Sequence, residues 1–410
     1  MKPFTRLSTP DGAREAFARV FQGRPLGTER VPLLEAVGRI LAADIRAAED
    51  LPAFDKSTVD GYAVRASDMT GASSGTPVRL AIVAEVVMGR RPAEPVGSGE
   101  AVRIPTGGAL PPDADAVVMQ EHTVRHDRGL SVERAVRSWE NVVRRGVDVR
   151  AGDLVLRAGR KLRPADLGLL AGLGHAAAEV YVRPVVALIV TGDELVPPGH
   201  TAGDGQIYDM NTYTLSGMIA SAGCVARSFG IVGDNLAVLT GRSREAWQSA
   251  DAVIVSGGSS VGEKDYVADA IAALGDPGII VHGIAIRPGK PTILAVAGGK
   301  PVFGLPGNVV SVLVTFDQFV RPVLEQMTGR DEPPRPGTSV RARLTARLAA
   351  GDREDHVRVA LGERGGMLLA SPLPGGSAVI TSMVKADGIV VIPIGTILEE
   401  GTDVEVKLLE

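Results

Sequence analysis

The chain has 410 residues, of which 45% are hydrophobic and 22% charged, and its formal net charge is −4 at pH 7. These values are typical of a globular protein with about two to four domains. With 4% aromatic residues and no excess of positive charge, the composition argues against a nucleic-acid partner. The only cysteine, Cys224, excludes an intrachain disulfide and a thiolate metal cluster.

The N-terminal segment predicts a helix from "STPDGAREAFARVF", with Ser8 or Thr9 as its cap, and a second helix from "LLEAVGRILAADI". The segment lacks the apolar core of a secretory signal, and no apolar run in the chain approaches the ~20 residues of a membrane span. We therefore expect a cytoplasmic protein with no membrane partner. From Leu51 to about Glu140, short β-like runs alternate with Gly and Pro turns, and "RPADLGLLAGLGH" then predicts a short helix.

Between residues 183 and 329 strand, loop and helix patterns alternate. Apolar runs without polar alternation precede the loops "TGDELVPPG", "SGGSSVGEKDYV" and "LPGN". This order predicts a parallel sheet with helices on both faces, in which the three loops converge at the carboxyl ends of the strands. After the Pro-rich linker "TGRDEPPRPGTS", short alternating runs predict the strands of a small β-barrel.

The glycine-rich loop after "DAVIV" has the spacing of a Walker loop, but Glu263 stands where the lysine belongs. An ordinary phosphate-binding P-loop is thereby excluded. Gly257 and Gly258 still allow successive backbone N–H groups to point into one concavity, and Ser259 adds a hydroxyl donor. The loop predicts a site for phosphate or another tetrahedral oxyanion; the alternative is a plain β–α turn.

Four carboxylates follow predicted strands in this part of the chain: the adjacent Asp193 and Glu194, then Asp234 and Asp265. Mg²⁺ is held in proteins by one or two carboxylates together with phosphate oxygens and water. Beside a phosphate-binding loop, several carboxylates predict a magnesium site. Taken singly, each has helix capping as an alternative.

A second group of residues could hold an oxyanion. Arg287 and Lys290 flank a Pro-Gly turn, where Arg offers bidentate bonds and Lys a point charge. In "GLPGNVVS", Asn308 and Ser311 begin a predicted helix, so that capping and substrate binding are both open. The alternative for Arg287 and Lys290 is an ordinary surface turn exposed to solvent.

Two earlier motifs combine polar residues without helical or strand periodicity. "LPAFDKSTVDGYAV" contains Ser57 and Asp60, and "RIPTGGALPPDADAVVMQE" contains Thr106 in a Gly-rich turn. The alternative for both is a surface turn of a β-rich domain.

Together these motifs resemble the molybdopterin molybdenumtransferases, which insert molybdate into adenylylated molybdopterin; the corresponding part of gephyrin belongs to the same family. The resemblance covers nearly the whole chain, and it rests on the order and spacing of "LPAFDKSTVDGYAV", "RIPTGGALPPDADAVVMQE", "NVVRRGVDVRAGD", "TGDEL", "DAVIVSGGSSVGEKDYV", "IRPGKP" and "GLPGNVVSVLVTF". Val309 stands where the family usually has a second proline, and Arg287 where lysine is common.

The resemblance implies an α/β multidomain fold. An elongated α+β domain is built from residues 1–50 and 141–180, with a β-rich domain inserted between them at 51–140. A molybdopterin-binding α/β/α domain with a parallel sheet follows at 181–329, and a small β-barrel at 330–410 completes the chain. The family works as a homodimer, in which the α/β domain of one subunit and the β-rich domain of the other form each site.

The resemblance also implies the roles of individual residues and the partners. Mg²⁺ is the expected cofactor, and adenylylated molybdopterin and molybdate are the expected substrates; the adenylyltransferase and molybdoenzyme acceptors are possible protein partners. The implied catalytic residues are Asp60, Thr106, Glu194, Asp234 and Asp265, with Glu194, Asp234 and Asp265 at the metal. The implied substrate-binding residues are Ser57, Gly257, Gly258, Ser259, Arg287, Lys290, Pro306, Asn308, Ser311, Arg358 and Ser382.

Two other functions compete with this one. The molybdopterin adenylyltransferase acts one step earlier, but its fold resembles the predicted α/β domain alone, so that the first 180 residues and the barrel would be unexplained. A non-enzymatic dimeric scaffold like gephyrin would not need the acidic and cationic sets.

Overall fold

The computed structural model describes residues 7–127, 129–258, 265–331 and 339–409. The chain begins with helix α1 (Pro10–Val20), whose cap Thr9 accepts a hydrogen bond from the Gly12 N–H at 3.1 Å. Its buried residues Ala13 and Phe17 pack in the same hydrophobic core as Val186, Leu188 and Phe303, which lie much later in the sequence. The first predicted helix is therefore confirmed, and it packs against strands that follow residue 184.

The second predicted helix is wrong. Residues Leu33–Glu35 form a short 3-10 turn, after which the chain continues mainly in extended and turn conformations. Gly38 has a positive φ of 75°, which interrupts a helix, and the side chain of Leu34 is 96% exposed. The apolar residues of this segment consequently do not share one buried helical face.

The β-strands before residue 133 make one larger sheet and several short pairings. They are β1 (Thr28–Pro32), β2 (Ile45–Arg46), β3 (Lys56–Ser57), β4 (Gly61–Val64), β5 (Val78–Glu85), β6 (Glu100–Ile104), β7 (Ala116–Met119), β8 (Thr123–Arg125) and β9 (Gly129–Val132). Within the described residues, β4 to β9 form a sheet in the order β7-β4-β6-β5-β9-β8. Tyr62, Val64, Leu80, Val118 and Leu130 are part of its core. Short 3-10 turns span Ala66–Met69 and Gln120–His122.

The segment between residues 142 and 181 pairs with strands near the N-terminus. It contains β10 (Val142–Val143), β11 (Leu154–Leu156), α2 (Pro164–Gly172) and β12 (Ala177–Tyr181). The pairs β10–β3, β11–β2 and β12–β1 are all antiparallel. Leu41, Leu156, Leu162, Leu170 and Val180 form a core that joins the two stretches. The domain boundaries given above stay a prediction.

The central part is an α/β/α unit. Its elements are β13 (Val185–Thr191), β14 (Leu195–Val196), β15 (Ile207–Tyr208), α3 (Asn211–Ser221), β16 (Val225–Val232), α4 (Leu236–Ser249), β17 (Ala252–Gly257), α5 (Tyr266–Ala272), β18 (Pro277–His282), β19 (Ile286–Arg287), β20 (Ile293–Ala297), β21 (Lys300–Leu305), α6 (Val309–Thr315), a π-helical turn at Phe316–Val320, and α7 (Arg321–Met327). Val186, Leu188 and Val190 of β13 face one hydrophobic core, and Ala187 and Ile189 face the other. Since successive strand residues point to opposite faces, both faces of the sheet are covered, as predicted.

The strand order of this sheet is β16-β13-β17-β21-β20-β18 in the described part of the chain. The first four strands are parallel, whereas β20 is antiparallel to both β21 and β18. The predicted parallel sheet is thus present in four strands, and two antiparallel strands extend it at one edge. The reason is the tight turn at Gly298 and Gly299, which joins β20 directly to β21 as a hairpin.

The C-terminal part contains β22 (Ser339–Leu344), β23 (Leu348–Ala349), β24 (Glu354–Arg364), β25 (Met367–Pro372), α8 (Thr381–Val384), β26 (Gly388–Ile392), β27 (Ile397–Leu398) and β28 (Asp403–Leu408). The predicted barrel is confirmed, because β24, β25, β22, β28 and β26 pair in a closed ring. Strand β19 of the central part adds to β24 in parallel, with Ile286 opposite Glu354. None of the helices in the described part of the chain combines the length and apolar character that a membrane span requires.

Candidate active site

A cavity of about 820 Å³ lies between the carboxyl ends of the central strands and the wall of the barrel. The sequence analysis expected its loops to converge, and they do: the turns after β13, β17 and β21 all contribute to the lining. The predicted site residues that line it are Glu194, Gly257, Gly258, Arg287, Lys290, Pro306, Asn308, Ser311 and Arg358.

Other predicted residues lie elsewhere. Ser259 lies outside the described residues. The residues that do not line the cavity, as far as the structure describes the chain, are Ser57, Asp60, Thr106, Asp234, Asp265 and Ser382. The Ser382 hydroxyl donates to the carbonyl oxygen of Val379 at 2.6 Å, which gives it a local structural role.

The turn that ends β17 can be built only with glycine. Gly257 and Gly258 have positive φ angles of 113° and 59°. A Cβ atom on Gly257 would lie 2.1 Å from the carbonyl oxygen of Thr191 in the neighbouring strand. The main chain therefore packs directly against main chain, and the turn presents backbone groups to the cavity.

Arg358 is the best candidate in the cavity for an oxyanion ligand. It is 7% exposed, and its Nη2 donates to the carbonyl oxygen of Gly375. Its buried Nε has no hydrogen-bond partner within the described structure. Burial lowers the pKa of Arg358, and the charge of Asp355 opposes this effect. A buried guanidinium with an unused donor beside a cavity favours an anionic ligand.

Arg287, by contrast, is paired. Its guanidinium donates to the Asp355 carboxylate, and this hydrogen bond raises the pKa of Arg287 more than burial lowers it. The pair spans the β19–β24 contact, because Arg287 and Asp355 are register partners. Asp355 was missed by the sequence analysis because it comes from a barrel strand 68 positions later in the chain. The charge of Arg287 is accordingly shared with a carboxylate and is only partly available to a substrate.

The three predicted metal ligands do not form one cluster. Asp234 accepts a hydrogen bond from the Thr191 hydroxyl at 3.1 Å, whereas Asp265 caps α5 by accepting from the Ala268 N–H at 3.0 Å. The second oxygen of Asp265 lies 3.1 Å from Nε2 of His282. Among the described residues, no group of three or more acidic, histidine or cysteine side chains could hold a metal ion.

Glu194 alone of the three lines the cavity, and its carboxylate lies close to Gly192. One carboxylate on an open cavity fits Mg²⁺ only when phosphate oxygens and water complete the shell, which is the usual arrangement for this ion. Among the described residues, the donor set therefore fits an Mg²⁺ that is bound together with the substrate and does not fit a cage built by side chains.

Asp60 and Thr106 meet on the N-terminal β-sheet. One carboxylate oxygen of Asp60 accepts from the Thr106 N–H at 2.7 Å and from its hydroxyl at 3.0 Å. These two bonds, the backbone bond first, lower the pKa of Asp60. The two motifs thus form one polar cluster, and their role in a site stays a prediction.

Three comparisons with known proteins bear on the whole chain. Residues 12–174 match the model of the MoeA N-terminal region (domain I and II), residues 187–326 match the model of a probable molybdopterin binding domain, and residues 341–409 match the model of the MoeA C-terminal region (domain IV). A molybdopterin molybdenumtransferase from Nostoc sp. is 36% identical over 93% of this chain and 89% of its own length.

The chain belongs to the molybdopterin molybdenumtransferase family. A second such enzyme, from Bacillus subtilis, is 33% identical over 98% of this chain and 94% of its own. A crystal structure of a molybdopterin biosynthesis MoeA protein from Pyrococcus horikosii superimposes with a TM-score of 0.84 at 38% identity, and covers 98% of this chain and 99% of that one. The α/β multidomain fold with its closed barrel is accordingly that of the molybdopterin molybdenumtransferases.

Proposed function

We propose that this chain inserts molybdate into adenylylated molybdopterin, with Mg²⁺-dependent release of AMP. Membership of the family supports the broader part, that the protein is a transferase of molybdenum cofactor biosynthesis. Arg358 supports the finer part, because this buried, positively charged residue lines the same cavity as the glycine turn. One cavity thus offers two separate places for oxyanions.

The phosphate end of this proposed arrangement is the turn at Gly257 and Gly258. Since no side chain intervenes there, phosphoryl oxygens can approach the main chain directly. Thr191 supports the turn from the neighbouring strand. The role proposed for this wall is to bind and orient the phosphoanhydride.

The molybdate end is the side toward the barrel. Arg358 would supply the charge of its buried guanidinium, and Ser311, which is 4% exposed, contributes a hydroxyl from the first turn of α6. Lys290 adds positive charge across the cavity. These residues would hold the dianion until the dithiolene sulfurs of the pterin replace its oxygens.

Glu194 would hold Mg²⁺ against the phosphate oxygens of the substrate. When bound, the ion supplies charge neutralisation to the phosphoanhydride as the bond to AMP breaks. Asp234 would support the site indirectly, through the hydrogen bond that it accepts from the Thr191 hydroxyl. Asp265 would act by fixing the start of α5 next to the glycine turn.

We also propose a homodimer in which the cluster of Asp60 and Thr106 completes the site of a second copy. The support is that both residues line no part of their own chain's cavity in the described structure, although the family resemblance assigns them to the site. A symmetric dimer would bring each cluster to the other subunit's cavity. Cytoplasmic localisation and the adenylyltransferase and acceptor partners remain proposals of the same kind.

The direct test combines purified protein, adenylylated molybdopterin, Mg²⁺ and molybdate, and measures AMP by chromatography and active cofactor by reconstitution of a molybdoenzyme. We expect both products in equal amounts. AMP release that needs no molybdate and yields no cofactor would contradict the proposal.

The dimeric site has its own test. At a molybdate concentration below the Kd of Arg358→Gln, the variants Asp60→Asn and Arg358→Gln should each be nearly inactive alone, but mixed dimers of the two carry one intact site. If the subunits mix at random, activity should recover to about a quarter of the wild-type value. Mixed dimers without activity would contradict a shared site.

A further inference from the structure

Two buried polar residues lie behind the turn at residues 306–308. Asn211 begins α3 and is 6% exposed, and Ser256 lies just before the end of β17 and is fully buried. The sequence analysis assigned neither to the site. Because buried polar groups are nearly always hydrogen-bonded, their partners indicate what they stabilise.

Both side chains bind the backbone of one turn. Nδ2 of Asn211 donates to Oγ of Ser256 at 3.0 Å and to the carbonyl oxygen of Gly307 at 2.8 Å. The Ser256 hydroxyl donates in turn to the carbonyl oxygen of Pro306 at 3.1 Å. A side-chain amide has two N–H donors and a hydroxyl has one, so all three donors of the pair are used. Two consecutive carbonyl groups are consequently held toward the protein interior.

The direction of the carbonyl groups fixes the direction of the N–H groups that follow them. The peptide bonds after Pro306 and Gly307 are both trans, since the cis bonds of the described structure all precede proline. In a trans peptide the N–H points opposite to the C=O. The N–H groups of Gly307 and Asn308 therefore point to the exposed side of the turn, where both residues line the cavity.

Neither N–H group has a hydrogen-bond acceptor in the described part of the chain. The Asn308 side chain is already used, because its Nδ2 donates to the Ser377 hydroxyl at 2.9 Å. A Cβ atom on Gly307 would lie 3.5 Å from Cα of Gly257, which places this turn directly against the glycine turn. Arg358, whose side chain is buried, lines the same cavity.

We propose that Asn211 and Ser256 are positioning residues that aim the N–H groups of Gly307 and Asn308 at an oxyanion of the substrate. This inference rests on the proposed function. The recognised chemistry is a tetrahedral oxyanion, either phosphoryl or metal-centred. Contact with the glycine turn favours the phosphoryl group, because both turns then bind neighbouring oxygens of one group.

The first experiment uses Asn211→Asp, which keeps the shape of the side chain but removes both N–H donors once ionised. Binding of AMP, pyrophosphate and tungstate is measured by calorimetry on the full-length protein. In this variant the N–H groups of Gly307 and Asn308 are no longer held in position, and their hydrogen bonds to the charged phosphoryl oxygens are lost. We therefore expect Kd for AMP and pyrophosphate to rise about tenfold to hundredfold. A weakening confined to tungstate would assign the N–H groups to the metal oxyanion.

The steady-state parameters separate positioning from general damage. We expect KM for the adenylylated substrate to rise more than kcat falls, with an unchanged circular dichroism spectrum. Gln248→Glu adds the same charge on an exposed residue of α4 and is the matched control. Ser256→Ala removes the hydroxyl without adding charge, and it should weaken the same anions by a smaller factor.

A direct measurement covers the case in which Asn211→Asp does not fold. In wild-type protein labelled with ¹⁵N-glycine, the amide resonance of Gly307, assigned by its loss in Gly307→Ala, should shift when AMP or pyrophosphate saturates the protein. An unshifted resonance, or folded variants that bind all three anions within twofold of wild type, would overturn the inference. A wild-type protein that binds none of them would contradict the proposed function as well.

Discussion

The two walls of the cavity are built differently. On the central sheet, main chain forms the wall: Gly257 and Gly258 leave no room for side chains, and Gly307 lies against them. On the barrel, side chains form it, with Arg358 buried and Asp355 paired to Arg287. The shape of a backbone wall depends on close main-chain packing, so that one added carbon atom disrupts it. The anion affinity of a side-chain wall depends on charge, so that single substitutions can raise or lower it.

The largest effect is expected from adding one carbon atom to the backbone wall. Gly257→Ala places Cβ 2.1 Å from the carbonyl oxygen of Thr191 at a positive φ, so that β13 and β17 must separate. We expect a loss of roughly 3 kcal/mol or more of unfolding free energy and of nearly all activity, measured by urea denaturation and AMP release.

Gly241→Ala is the matched control for this change. Gly241 lies in α4, where a Cβ atom meets nothing within 4 Å. Alanine should there stabilise the protein by up to about 1 kcal/mol. Equal stability of the two variants would show that the wall of main chain is not needed.

The next effect concerns the charge of the barrel wall. Arg358→Gln removes the buried guanidinium, and we expect the Kd for molybdate to rise about tenfold to hundredfold while the protein remains folded. Arg358→Lys should be intermediate, since it keeps the charge but not the planar fork. Arg341→Gln, on the exposed side of β22, should bind molybdate as wild type does. Unaltered affinity in Arg358→Gln would remove the basis for a molybdate site on the barrel.

A smaller effect of opposite sign is expected from Asp355→Asn. Because this change frees Arg287 from its partner, the cavity becomes more positive and dianions should bind roughly threefold to tenfold more tightly. Asp403→Asn breaks the exposed pair of Arg343 and Asp403 and serves as the charge control. Titration of both variants with tungstate at low and high salt measures the difference; weaker binding in Asp355→Asn would show that the pair holds the wall in place.

The smallest effect lies outside both walls, at Asp60. Hydrogen bonds from Thr106 lower the pKa of this carboxyl, so they stabilise the folded state above the ordinary pKa, and that contribution is lost as the pH falls through the lowered value. In Thr106→Val the hydroxyl bond is absent, and Asp60 should take up its proton at a higher pH than in wild type.

A ¹³C NMR titration of the Asp60 carboxyl measures this shift. The control Thr70→Val removes a hydroxyl that donates to the carbonyl oxygen of Ser67. It should leave the Asp60 titration unchanged. Identical titrations of Asp60 in wild type and Thr106→Val would show that the hydroxyl bond has no role.

The difference between the walls also explains what the sequence could predict. The glycine turn and its neighbours are local in sequence, so the strand–loop–helix pattern was enough to predict that "TGDEL", "SGG" and "LPGN" meet. The Arg287–Asp355 pair joins residues 68 positions apart, and no local pattern predicts it. The same holds for Asn211 on α3, whose partners Ser256 and Gly307 come from strand β17 and from the turn after β21.

The errors have physical causes of the same kind. The segment "LLEAVGRILAADI" has helical spacing, but Gly38 has a positive φ, and Ile40 and Leu41 form β-bridges with Lys161 and Val180. Asp265 does not join Glu194 in the cavity, because it caps α5 and lies against His282, so that the predicted metal set stays a prediction. Capping and metal binding require the same residue types, and only the structure separates the two uses.

The short pairing of β19 with β24 sets the mechanics of substrate entry. Since Ile286 and Arg287 are hydrogen-bonded in register with Glu354 and Asp355, the barrel cannot swing outward as a rigid body without breaking a ladder and an ion pair at once. An outward movement of the barrel during substrate entry would therefore cost both contacts. Holding the two walls together in this way reduces the ordering cost of assembling the anion contacts when a substrate binds.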